Sequence, residues 1–294
     1  MQGRIIHGVT IAVSLKVNEG VVLAADSAST LIGDVDVSGN ALVANVYYSA
    51  NKIFNLRKGL PIGALTWGAG SIGPASISAL AKTLRERLSG KDPEHKDWAI
   101  NEENYTVEEV ANRVREFFFE ELYAPAFESA DIKPDLGFVV AGYSAGASMA
   151  EEFRLGVSRQ ELEGPLRLRD SSESGVTWSG EPEAITRLVM GYGTGLPEVF
   201  QSHLGVPDDQ IAPAMEVVRN ALQAPLVQAA MPFQDAIELA EYLVETTIGF
   251  KRFGPGAQTV GGPVELAAIT RFEGFKWVKR KHYYDSRLNP EVME

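Results

Sequence analysis

The sequence of 294 residues contains no cysteine and only four histidines. The lack of cysteine excludes disulfide bonds, thiolate metal sites and cysteine nucleophiles, so that any nucleophile must be a hydroxyl or an amine. The histidines, at positions 7, 95, 203 and 282, show neither HxxxH nor HExxH spacing. A zinc hydrolase is therefore not expected.

Long hydrophobic runs and an excess of positive charge are also missing. No run approaches the roughly 18–20 apolar residues of a membrane span, and the start, MQGRIIHGVT, lacks the apolar core of a secretory signal peptide. The formal net charge is −12, and we interpret the basic segment 276–284 as a strand with one solvated face. We therefore expect a cytoplasmic protein that binds neither membranes nor nucleic acids.

The order of the sequence patterns predicts an α+β fold. Strand patterns dominate the first third of the chain, helical patterns alternate with strands in the middle, and two strands across the turn FEGF close it. Thr106 and Glu109 form a capping box that predicts the start of a long helix. We find no repeat and no long linker, so residues 10–294 are expected to form a single domain. This order predicts two antiparallel sheets packed face to face and flanked by helices, a four-layer αββα sandwich.

The opening hairpin, GVTIAVSLKVNEGVVLAADSAST, ends its second apolar run with Asp26. We predict a three-residue turn at residues 18–20, which would pair Thr10 with Ala28 and Ala12 with Asp26. Side chains alternate along a strand, so Thr10 and Asp26 would share one face and lie diagonal to each other. A two-residue turn would place them on opposite faces. In the simpler interpretation, Asp26 only caps the turn that follows it, and Thr10 is an ordinary strand residue.

A longer pattern supports the chemical interpretation. Thr10, GVVLAAD, NKIF and WGAGS occur in this order, and together they resemble the proteasome β-type subunits and their bacterial relatives, which are N-terminal threonine (Ntn) hydrolases. Thr10 and Asp26 match that family in identity and spacing. Lys52 matches the family's lysine in a KIF-like strand, although the loop before it is longer here. The resemblance covers most of the chain and is strongest in residues 10–70.

The resemblance implies a set of catalytic roles. Thr10 would be the nucleophile, and its own α-amine would be the base once the Val9–Thr10 bond is cut. Asp26 would hold Lys52, whose positive potential eases deprotonation of the nucleophile. The backbone amide of Gly68 would bind the oxyanion, and Thr194 in GYGTGLP would stand beside the nucleophile. No metal or organic cofactor is required by this chemistry.

The resemblance also implies a substrate-lining segment and a processing step. ADSAST would place Ala28 and Thr30 beside the bound peptide. Residues 1–9 would be a propeptide or an N-terminal extension. The aspartate and serine that the family carries before its closing glycine pair are absent, since this chain reads FGPGAQTVGGP there. Orientation of the α-amine would then differ from that in the family.

The function implied is a threonine peptidase that cleaves peptides or unfolded proteins. It would form a homo-oligomeric ring, which an ATP-dependent unfoldase could serve. Two alternatives remain open: a catalytically silent subunit or scaffold that keeps residues 1–9, and a small-molecule Ntn amidase. Single residues have simpler interpretations too: Lys52 as a solvated edge lysine, Gly68 as a turn glycine and Thr194 as a helix N-cap.

Overall fold

The fold is described from a computed structural model of the chain. It describes residues 7–8, 10–35, 41–130, 133–158 and 160–281, with residues 7–8, 31–35 and 41–44 described by their backbone. The strands are β1 His7–Gly8, β2 Ile11–Val17, β3 Gly20–Ala25, β4 Ser29–Val35, β5 Ala41–Tyr47, β6 Ile53–Asn55, β7 Ile62–Ala69, β8 Ser71–Ile72, β9 Ala75–Ser76, β10 Leu136–Gly142, β11 Glu151–Ser158, β12 Glu161–Arg167, β13 Gly175–Gly180, β14 Glu265–Thr270 and β15 Gly274–Lys279. The helices are α1 Ile77–Leu88, α2 Val107–Arg115, α3 Ala124–Ala126, α4 Glu183–Met190, α5 Leu196–Glu198, α6 Asp208–Leu222 and α7 Phe233–Phe253, with a 3₁₀ turn at Lys96–Trp98 and π-helical segments at Glu116–Tyr123 and Val199–His203.

The protein has a mixed α+β fold with several antiparallel sheets. One large sheet has the strand order β1-β7-β10-β11-β12, and β6 pairs with β7 beside β1. The other has the order β13-β2-β3-β14-β15. Two small hairpins, β4-β5 and β8-β9, complete the set of described strands. The α+β class predicted from the sequence is confirmed.

Buried apolar side chains form three clusters. One cluster joins the two large sheets, because it contains Ala12 and Leu23 from one sheet and Leu65 from the other. The second lies between the β7-containing sheet and helices α1 and α2, and the third lies between the β2-containing sheet and helices α4 and α7. Strand alternation explains the division, since Val13 and Leu15 of β2 face the helices while Ala12 faces the other sheet.

Helix α2 begins where its cap was expected. The Thr106 side chain accepts the backbone N–H of Glu109 at 3.0 Å, which satisfies one of the free donors at the helix start. The turns that follow, through Tyr123, bury Phe117, Phe118 and Phe119 against the sheet. The capping residue predicted from the sequence is therefore confirmed. Among the described helices, none combines the length and the apolar character that a membrane crossing needs.

The three-residue turn predicted for the opening hairpin is wrong. Val17 pairs with Gly20 and Ala12 pairs with Ala25, which leaves a two-residue turn at residues 18–19. Gly20 is the first residue of β3 rather than the left-handed residue of a turn. A Cβ atom there would collide with the carbonyl oxygen of Ile269, so the glycine serves the close approach of strand β14.

The segment before Lys52, expected to be a polar loop, contains a hairpin. Hairpin β4-β5 occupies much of the segment between Asp26 and Lys52. The edge strand β12, which follows β11, was not predicted from the sequence. The strand β1, just before Thr10, also contacts β4.

Candidate active site

Three buried polar side chains meet at the ends of three strands. Thr10 directly precedes β2, Asp26 directly follows β3 and Lys52 directly precedes β6. Their exposed fractions are 1%, 0% and 6%, respectively. The Thr10 hydroxyl donates to Asp26 Oδ1 and accepts a hydrogen bond from Lys52 Nζ. Lys52 Nζ also lies 2.6 Å from Asp26 Oδ1 and donates to it. The structure thus brings the three predicted residues into mutual contact.

Asp26 reaches Thr10 although the two-residue turn puts their positions on opposite faces. Strand β3 ends at Ala25, and beyond that residue the alternation of side chains no longer applies. The freed carboxylate is fixed by three backbone N–H groups, those of Ile11 at 3.1 Å, Ala28 at 3.0 Å and Gly261 at 2.9 Å. Such donors stabilise the charged form of a carboxylate without any cation.

Burial changes the proton affinity of Lys52. The pKa of its ammonium group is lowered from its usual range, because burial disfavours the charged form, while the neighbouring Asp26 carboxylate opposes the shift. Lys52 Nζ donates to the Thr10 hydroxyl. A charged ammonium group there stabilises the deprotonated oxygen and so favours removal of the hydroxyl proton.

Two of the three residues border a cavity of about 530 Å³. Thr10 and Lys52 line it, together with Ala28 and Gly68. Gly68 has φ +87° and lies against the backbone of Asp135, where a Cβ atom on residue 68 would collide with the Asp135 carbonyl oxygen. Only glycine fits this position without strain. Lys52 is the only charged residue among those that line the cavity in the described part of the chain.

The backbone before Thr10 lies on the strand edge that borders this cavity. In β1, Gly8 pairs with Gly68 and His7 pairs with Ala69, antiparallel to β7. The opposite edge of β7 is occupied along its length by β10. Residues 68–69 therefore form a short edge that β1 occupies, and an extended peptide can add there as a strand only in place of β1.

Two of the predicted site residues lie elsewhere. Thr194 is exposed, does not line the cavity, and both its backbone N–H and its hydroxyl donate to Glu183 Oε2. The structure does not bring it together with Thr10, because the GYGTGLP segment bends back onto the start of α4. Thr30 is 1% exposed and does not line the cavity either, whereas Ser29 does. Ala28 is thus the one member of the predicted substrate-lining pair found at the cavity.

Sequence reasoning missed the segment that holds the backbone of Thr10. The N–H of Glu181 donates to the Thr10 carbonyl oxygen at 2.7 Å. Gly180, at the end of β13, has φ +96°, and a Cβ atom on it would collide with the same oxygen. The available signal was the glycine that ends the strand GVTWSG.

Comparisons with known proteins add little to this geometry. No protein-family model matches the chain, and no curated protein matches it. Among solved structures, the chain is similar to the (Gly-1) mutant of Anbu from Hyphomicrobium sp. strain MC1, with a TM-score of 0.46 and 16% identity, covering 92% of this chain and 86% of the other. A likeness this low carries no argument about function.

The assignment to the proteasome β-type family is wrong. No model of that family matches the sequence, and the structural similarity found is a distant one to Anbu. The roles that the resemblance implied must therefore be judged from the geometry of this chain. Within the described residues, no group of three or more histidine, aspartate and glutamate side chains is arranged to hold a metal ion.

Proposed function

We propose that the chain is a threonine-type hydrolase that cleaves peptide bonds with the hydroxyl of Thr10, after the Val9–Thr10 bond has been cut. One observation carries the proposal: the buried contacts among Thr10, Asp26 and Lys52 lie at a cavity bordered by the strand edge that residues 7–8 occupy. An isolated buried lysine and aspartate cost free energy unless they are paired. Here both charged groups contact the Thr10 hydroxyl, which suits them to activate it as a nucleophile.

Removal of residues 1–9 creates the base. Once Thr10 is the first residue, its α-amine, with an ordinary pKa of about 7.7–8.0, accepts the hydroxyl proton near neutral pH. The Thr10 Oγ1 then bonds to the substrate carbonyl carbon. The tetrahedral oxyanion collapses, the C–N bond breaks, and the leaving amine takes the proton. Water hydrolyses the resulting ester and restores the hydroxyl.

The other site residues stabilise the negative charges that form during the reaction. Lys52 donates to the Thr10 hydroxyl and favours its deprotonated form, and Asp26 fixes Lys52 in place. The backbone N–H of Gly68 is our candidate for the oxyanion donor, since it borders the cavity. One such donor contributes about 3 kcal/mol to the transition state.

The pairing of β1 supports processing of the chain by its own site. The residues before Thr10 lie along the 68–69 edge that we propose for substrates. Because the hydroxyl belongs to the residue that follows the scissile bond, the reaction can occur within one chain. Attack of Thr10 Oγ1 on the carbonyl of residue 9 breaks the C–N bond, gives an ester and frees the α-amine, and water then releases residues 1–9.

We also propose the four-layer αββα arrangement for residues 10–294, as a single domain. The three apolar clusters support it, because one joins the two large sheets and each of the others joins one sheet to helices. A site at the ends of β2, β3 and β6 would then open at one end of the paired sheets.

Hydrolysis of fluorogenic peptides by the purified protein tests the proposed function. We expect turnover by the wild type, loss of turnover in Thr10→Ala and retained turnover in Thr10→Ser, which keeps the hydroxyl. Thr247→Ala is the matched control, since Thr247 is fully buried in α7 and donates to the Leu243 carbonyl oxygen. Undiminished turnover in Thr10→Ala would refute the assignment. Turnover of small amides but of no peptide would favour a small-molecule amidase.

A further inference from the structure

A second buried pair of opposite charges lies next to Lys52. Glu265, the first residue of β14, is 1% exposed, and the side chain of Lys281, which follows β15, is 10% exposed. Lys281 Nζ lies 3.7 Å from Glu265 Oε1. Neither residue lines the cavity, so neither is placed to touch a substrate.

Each member of this pair holds a backbone segment of the site. Glu265 Oε2 accepts the backbone N–H of Lys52 at 3.2 Å. Lys281 Nζ donates to Ser27 Oγ at 2.7 Å and to the carbonyl oxygen of Ala50. Ser27 directly follows the site carboxylate, and Ala50 lies two residues before Lys52. The pair therefore connects the segment that carries the carboxylate to the segment that carries the ammonium group.

We propose that Glu265 and Lys281 are positioning residues of the threonine site, which hold Lys52 against Asp26 and set the pH at which Thr10 becomes nucleophilic. This inference rests on the proposed function. It adds two residues to the site. Glu265, at the start of β14, bonds to the backbone of Lys52, and Lys281, just after β15, bonds to Ser27.

Among the four innermost charged groups, two carboxylates face two ammonium groups. The charged groups that face one another are Asp26, Glu265, Lys52 and Lys281, with Arg280 acting on Glu265 and Arg85 lying near Arg280. Burial lowers the pKa of both Lys52 and Lys281, and the Glu265 charge opposes each shift. The Lys52 charge lowers the pKa of Lys281 further. Removal of one charge from such a buried set leaves the others uncompensated.

Glu265→Gln separates charge from geometry. Glutamine keeps an oxygen that can accept the Lys52 N–H, but it carries no charge. The loss of a negative charge disfavours the protonated forms of nearby amines, so their pKa values fall. We therefore expect the acid limb of the pH profile of peptide kcat/KM to move to lower pH, by about one unit. Lys281→Gln should move the limb in the opposite direction.

Two further variants control the experiment. Glu265→Asp keeps the charge and should leave the acid limb near its wild-type position. The double variant Glu265→Gln, Lys281→Gln restores the charge balance and should return the limb toward that position. If the acid limb of the kcat/KM profile stays at its wild-type pH in both single variants and only kcat falls, the pair is purely structural and the inference is overturned. If one of the two single variants does not fold, the position of the acid limb in the other variant tests the inference. Absence of turnover in the wild type would overturn the proposed function itself, and with it this inference.

Discussion

Replacement of Asp26 by asparagine should destabilise the fold more than replacement of Lys52 by methionine. The Asp26 carboxylate accepts hydrogen bonds from the N–H groups of Ile11, Ala28 and Gly261, and from Thr10 and Lys52. An asparagine side chain offers one acceptor oxygen, and its NH₂ group only donates. In either orientation, at least two buried donors lose their acceptor.

The magnitudes follow from these contacts. Each buried donor left without a partner costs about 1–3 kcal/mol, and the Lys52 ammonium group loses its counter-charge as well. Asp26→Asn should therefore cost about 3–6 kcal/mol in the free energy of unfolding. In Lys52→Met, the carboxylate keeps the Thr10 hydroxyl and three backbone N–H groups. That variant should cost about 1–2 kcal/mol, below the usual cost of breaking a buried ion pair.

Urea-induced unfolding, followed by circular dichroism, measures both variants against the wild type. The reasoning requires Asp26→Asn to lose at least about 1 kcal/mol more than Lys52→Met. Both variants should lack peptide turnover, because each removes a partner of the Thr10 hydroxyl. A Lys52→Met variant as unstable as Asp26→Asn would refute the claim that backbone donors, rather than the ion pair, stabilise this carboxylate.

Three further predictions concern a glycine, a buried acid and the cavity. Gly180→Ala should displace the Thr10 carbonyl and lower peptide turnover. Gly59→Ala, at a similar φ of +91° but with open space around it, should leave turnover unchanged. Equal turnover of the two variants would contradict this prediction. Burial raises the pKa of Glu152, so its contribution to stability is full below the usual glutamate pKa and is lost as the pH rises through the raised value. Relative to Glu152→Gln, the free energy of unfolding of the wild type should fall with rising pH in urea titrations, and a constant difference would argue against it. Lys52 is the one charged residue lining the described cavity, and Asp26 already neutralises it. Peptides with uncharged side chains at the cleaved position should therefore have a higher kcat/KM than their lysine and glutamate counterparts.

The contact between Thr10 and Asp26 was predictable, but the register that produces it was not. The sequence pattern around Gly20 favoured a three-residue turn, since glycine often takes the left-handed position. Its true role depends on Ile269, a residue of β14 that no local pattern connects with it. Asp26 reaches Thr10 because β3 ends at Ala25, and strand boundaries are poorly marked in sequence.

Residues that act from far along the chain were the ones missed. Gly180 and Glu181 hold the Thr10 backbone, but their segment looks like any strand that ends at a glycine. Glu265 and Lys281 look like ordinary charged residues at strand ends, and their burial depends on how β14 and β15 pack. The role of Thr194 rested on the resemblance of GYGTGLP to a family segment, and its hydroxyl instead bonds to Glu183.

The order of short motifs located the site but misassigned the family. The identity and spacing of three residues predicted a contact among their side chains, and the structure brings those three groups together. Family membership depends on the whole chain, and no family model matches it. The predictions of a ring, an unfoldase partner and a cytoplasmic location rested on that family or on composition, and they remain predictions.

The most direct test of the central claim is the N-terminus of the active protein, read by intact mass and N-terminal sequencing after prolonged incubation. The account predicts that the wild type begins at Thr10, and that the Thr10→Ala variant keeps residues 1–9. A wild-type chain that hydrolyses peptides while it keeps residues 1–9 would contradict the account. So would a Thr10→Ala variant that loses residues 1–9 as fast as the wild type.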